Sequence, residues 1–139
     1  MRRAAAPGAL VVVLAACAGG SGAAAPALTF ANPAPARDVV ECLVEALERM
    51  DYQVQRTDKR DGLVEAIFIR RDYQSSDPRE FRRSDRLLFE RAKGGVWGVT
   101  IDASREFGTN VGLQREPVAP SEKASADATT VAGKCTAAT

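Results

Sequence analysis

Asp38-Val39-Val40-Glu41-Cys42-Leu43-Val44-Glu45-Ala46-Leu47-Glu48-Arg49-Met50 is the stretch on which the fold turns. Val39, Leu43, Leu47 and Met50 recur at i, i+4, i+8 and i+11, and Val40, Val44 and Ala46 widen that stripe. Glu41, Glu45, Glu48 and Arg49 fall on the opposite side, which gives the period of an amphipathic helix. Asp38 followed by Glu41 is close to a capping box. The spacing predicts a helix from about 36 to 50, with Cys42 at the edge of the buried stripe.

Such a helix must bury its apolar side against something, and the period of the next residues changes to suit. Tyr52, Val54 and Arg56 alternate with Gln53, Gln55 and Thr57 as a short strand, and Asp58-Lys59-Arg60-Asp61-Gly62 reads as a turn. Leu63 to Arg71 is the strongest strand, with Leu63, Val64, Ile67, Phe68 and Ile69. Arg86–Ala92 and Val96–Ala103 are two more, joined by the tight connection Lys93-Gly94-Gly95. Trp97, Val99 and Ile101 share one face of the last strand, and that face is expected to pack on the helix.

After Arg105 the chain reads as loose, through Gly108, Gly112, Pro117 and Pro120. Ser121 then caps a second helix over about 122–134, whose apolar content is mainly Val131 and alanines. The expected fold is α+β: a two-layer sandwich of helix, four-stranded antiparallel sheet and short C-terminal helix, one domain over 37–139.

Upstream the composition is of another kind. Ala18–Ala36 is Gly, Ser, Ala and Pro with little else, too poor in apolar surface to order itself, so 17–36 reads as a flexible tether. Leu28 and Phe30 are read as solvated residues of that tether, with docking on the domain or the bilayer as the alternative. Before it, Arg2 and Arg3 precede an apolar run, Leu10-Val11-Val12-Val13-Leu14, that ends in small residues, the layout of a signal segment. The run is about half of the roughly 20 residues a membrane-spanning helix needs. Arg2-Arg3 lacks the neighbours of a twin-arginine signal, so general secretion is the expected route.

Leu14-Ala15-Ala16-Cys17 resembles the lipobox of bacterial lipoprotein precursors. The resemblance implies cleavage after Ala16, leaving 1–16 as signal peptide, and diacylglyceryl and acyl (palmitate-type) lipid on Cys17. An ordinary signal peptide cleaved near Ala16 or Ala18 is the plainer reading of the same residues. Since one acyl chain anchors only marginally and two or three hold firmly, lipidation at Cys17 implies stable attachment to the membrane. Ala18 replaces the Asp that retains some lipoproteins in the inner membrane, so the expected site is the cell envelope, on the periplasmic face of an outer membrane where one exists.

With Cys17 lipidated, Cys42 and Cys135 remain as an even pair in an oxidising compartment, and a disulfide is expected. Two buried free thiols are the alternative. A second resemblance lies in Met50-Asp51-Tyr52-Gln53-Val54 followed by Asp61-Gly62-Leu63-Val64-Glu65-Ala66. It is similar to a pattern of small uncharacterised envelope lipoproteins, with Asp51 where Gly is usual, and implies their αββββα domain and no activity.

Candidate chemistry is sparse. The chain has no histidine, so Ser-His-Asp and Cys-His systems are excluded and the commonest zinc ligand is missing. No metal site, cofactor or catalytic residue is expected. Glu65, Glu90 and Asp102 would be needed to build a carboxylate pair for hydrolysis, and nothing in their spacing pairs them. Loss of Arg2 and Arg3 with the signal takes the formal charge from +1 to −1, which provides no field for nucleic acid. The one charge concentration holds seven arginines from 70 to 91 against five acids. Arg79, Arg82 and Arg83 are the candidate contacts to an anionic polymer or acidic envelope protein, with a self-paired solvated loop as the alternative. The expected role is non-enzymatic binding or scaffolding at the membrane. A small apolar-ligand carrier, with a groove between sheet and helix, is the second reading.

Overall fold

The computed structural model describes residues 25–70 and 79–137. The chain runs β1 (Leu28–Ala31), α1 (Ala36–Arg49), β2 (Gln53–Asp58), β3 (Leu63–Arg70), β4 (Glu80–Arg91), β5 (Val96–Thr109), β6 (Gly112–Val118) and α2 (Glu122–Cys135). It is an α+β fold, with one antiparallel sheet of six strands among the described residues. The order is β1-β5-β4-β3-β2, and β6 also pairs with β5. β1 takes Val96–Val99 of one β5 edge, and β6 takes Ala103–Thr109 of the same strand.

Both helices pack on one face of this sheet. Val39, Val40, Leu43 and Leu47 of α1 are at most 1% exposed and meet Val64, Ala66, Leu87, Phe89, Trp97 and Val99 in a single core. The fit is close at Gly62, where φ is +88° and an added Cβ would lie 2.7 Å from Arg91 Cβ and 2.9 Å from Trp97 Cη2. α1 starts at Pro35 without a side-chain cap, and Asp38 lies in the first turn instead of closing a capping box. At its other end Asp51 takes the left-handed conformation, φ 65°, at the position where the resembling pattern carries Gly.

α2 brings little apolar bulk, chiefly Ala124, Ala128, Val131 and Ala132, and makes polar contacts to the rest of the domain, with Cys135 at disulfide distance from Cys42. Ser121 caps it, its Oγ accepting from Ala124 N at 3.1 Å and donating to Asp85 Oδ2 at 2.8 Å. Asp85 is almost fully buried on β4, and the Ser121 N–H also donates to it at 3.3 Å. A carboxylate there is favoured by the positive end of the helix. Midway, Tyr52 Oη donates to Asp127 Oδ2 at 3.0 Å, and Lys123 pairs with Asp127 while its ammonium lies 4.4 Å from the Phe68 ring centroid. At the end, Asn32 Nδ2 donates to Cys135 O at 2.8 Å.

Four expectations are corrected. Residues 28–31 are not tether: they form β1, with Phe30 packed 6.1 Å from Trp97 between ring centroids. A short strand between prolines is held by its partner β5, which composition does not reveal. Among the described residues the sheet has six strands in place of four. β4 begins at Glu80, so the arginine-rich stretch is partly strand. β5 continues to Thr109 and β6 follows, where the chain reads as loose. Cross-strand ion pairs, Arg105 with Glu116 and Arg115 with Glu106, replace hydrophobic alternation there.

Candidate functional site

Residues 80–84 of β4, 104–109 of β5 and 112–116 of β6 extend past the start of α2 as a three-stranded arm. Residues paired across strands share a face, so register sorts the arm's side chains. On the helix side lie Glu80, Arg83, Arg105 and Glu116. Glu80 accepts from Arg83 Nε at 2.7 Å and from Arg105 Nη1 at 3.3 Å, and Arg105 also pairs with Glu116. The hydrogen bond to Glu116 raises the Arg105 pKa above its ordinary value. This network closes the end of the core with charge that is already neutralised.

The outer face, which no helix among the described residues covers, carries Arg82–Glu106–Arg115 in one row, Ser84–Ser104–Pro117 in the next and Arg86–Asp102 in a third. Small residues between long arginines leave a groove of about 360 Å³, walled by Arg86, Asp102 and Arg115. Its floor is a pair of hydroxyls, Ser84 and Ser104, 3.2 Å apart. Arg115 donates to Glu106 at 2.6 Å, which holds that carboxyl below its usual range. Arg86 is 3.7 Å from Glu65, whose other oxygen accepts from Arg56 at 3.3 Å. Arg82 Nε is buried without a hydrogen-bond partner among the described residues.

The candidate residues are placed as follows. Cys17 lies outside the described residues, as do the signal segment and Tyr73. Cys42 of α1 and Cys135 of α2 lie at disulfide distance, Sγ to Sγ 2.13 Å and Cα to Cα 5.8 Å. Arg79, Arg82 and Arg83 do not converge. Arg79 is exposed ahead of β4, Arg82 faces outward and Arg83 faces the Glu80 network. Sequence reasoning treated the three as one loop; strand alternation separates them. Arg86 and Arg115, which wall the groove, were not singled out, because register with β5 was needed to bring them together.

Glu65, Glu90 and Asp102 share the outer face on three different strands, and Glu65 is engaged by two arginines. Among the described residues no group of three or more Cys, Asp or Glu is placed to hold a metal ion. Among them, too, no helix is long and apolar enough to cross a membrane. The arrangement offers hydrogen bonding, ion pairing and shape. Comparison with known protein families and with curated proteins finds no match to this chain.

Proposed function

We propose that the chain is a lipid-anchored protein of the bacterial envelope whose α+β sandwich acts by binding, with the outer face of the arm as its contact surface. The observation that carries this reading is the contrast between the two faces of the sheet. The helix side is filled, with Leu43, Leu47, Leu87, Phe89 and Trp97 all 0% exposed. The outer side presents arginines around an open groove. The filled side supports binding over an apolar-ligand carrier, which needs room between sheet and helix. Arginine forks among serine hydroxyls suit carboxylates or phosphates of a neighbouring envelope component.

A photo-crosslinking residue placed at Ser104, on the groove floor, tests this in cells. A discrete adduct from Ser104 and none from Glu48, on the exposed side of α1, is the expected result. Equal labelling from both positions, or none from either, would remove the arm as the contact surface.

A further inference from the structure

We propose that the tip of the β5–β6 hairpin is a second membrane contact, with Val111 and Leu113 entering the bilayer interface beside the lipid anchor. The proposal rests on lipidation at Cys17, as read above. Val111 is 86% exposed and Leu113 69%, the two most exposed large apolar side chains among the described residues. Single exposed aliphatics are ordinary on protein surfaces. These two stand in Phe107–Gln114, eight residues without an ionisable group, bounded by Arg105 and Glu106 on one strand and Arg115 and Glu116 on the other.

Entry into the headgroup region penalises unpaired polar groups. The turn meets part of that demand internally: Thr109 Oγ1 donates to Gly112 O at 2.8 Å and accepts from Val111 N at 3.3 Å. Geometry supplies the second argument. Pro26 rests on the outer sheet face, its Cγ 3.1 Å from where a Cβ on Gly98 would be. Leu113, paired with Gly108, belongs to that same face, which also carries Arg82, Arg86 and Arg115. Cys17 is nine residues before Pro26, a reach of about 30 Å. From Gly98 to Thr109 along β5 is about 36 Å at 3.3 Å per residue. A bilayer at the end of the tether is thus within reach of the tip when β5 inclines toward it tip first, which leaves the groove around Ser84 and Ser104 above the membrane surface. The other end of β5, at Lys93–Gly95, then stands in water.

The experiment uses the full lipidated chain in vesicles of phosphatidylethanolamine and phosphatidylglycerol. Val111→Cys and, separately, Lys93→Cys carry an environment-sensitive fluorophore, with spin-labelled lipid as quencher. The expected result is a blue-shifted emission quenched several-fold by the lipid at position 111, and a water-like, unquenched emission at position 93. Water-like emission at both positions from protein that still sediments with the vesicles would overturn the tip contact and leave the anchor standing. Absence of lipid mass and of sedimentation would instead remove the anchor, and the tip proposal with it.

Discussion

Replacing Cys42 and Cys135 by Ala tests how α2 is held. The two residues are 93 apart in sequence, and a crosslink of that span removes loop-closure entropy from the unfolded chain worth about 4–5 kcal/mol. Alanine is the replacement of choice because Cys135 is buried and a serine hydroxyl there would need a partner. Stabilities of single domains lie at roughly 5–15 kcal/mol, so the loss is a large share of the whole. Non-covalent contacts of α2 among the described residues are few: four small aliphatic side chains, the Ser121–Asp85 cap, the Tyr52–Asp127 bond, the Lys123 ammonium over the Phe68 and Tyr52 rings, and Asn32 to Cys135 O. Urea unfolding of the oxidised parent and the double variant, followed by far-UV circular dichroism, measures the difference. With a slope of about 1–1.5 kcal/mol per molar for a domain of this size, the midpoint is expected to fall by about 3–5 M. Hydrogen exchange is expected to show α2 amides losing protection before those of β3 and β4. A midpoint shift below about 0.5 M, with α2 still protected, would refute the view that the crosslink holds this helix.

Gly62→Ala forces a Cβ against Arg91 and Trp97 at a positive φ, and is expected to cost about 2–4 kcal/mol in the same urea assay. Asp51→Gly relieves the left-handed strain at the end of α1 and is expected to raise thermal stability by up to about 1 kcal/mol, while Asp51→Val lowers it. Burial, with Asp127 beside it, pushes the Tyr52 phenol well above its ordinary value of 10.0. The folded state therefore favours neutral Tyr52, a contribution fully present below about pH 10 and lost as pH rises toward the raised folded value. Alkaline titration is expected to show Tyr52→Phe unfolding with a weaker pH dependence than the parent; identical profiles would contradict the assignment.

The parts of the fold that sequence foretold are those with hydrophobic period. α1, β3, the Trp97-Val99-Ile101 face and the Ser121 cap each bury or satisfy something local, and the periodicity says so. β1 escaped because four residues between Pro26 and Pro33 gain their stability from β5, some 70 residues away. The arm escaped for a related reason. With no helix among the described residues covering it, Glu80, Arg83, Arg105, Glu106, Arg115 and Glu116 need not alternate with apolar residues. Their pairing is visible only once register is known. Thr109-Asn110-Val111-Gly112 was the available signal of the β5–β6 turn, Gly112 having a φ of 117°. The candidate contact surface was half legible: the arginine excess drew attention to the right strand, but alternation sends Arg83 inward and Arg82 outward, and Arg86 and Arg115 complete the groove.

Whether the domain is anchored and crosslinked is tested most directly by the intact mass of the protein extracted from membranes, taken with thiol alkylation before and after reduction. The account predicts a chain beginning at Cys17 with diacylglyceryl and acyl mass, in which Cys42 and Cys135 take up alkylating agent only after reduction. An unlipidated chain whose two thiols react without reduction would contradict both the anchor and the crosslink.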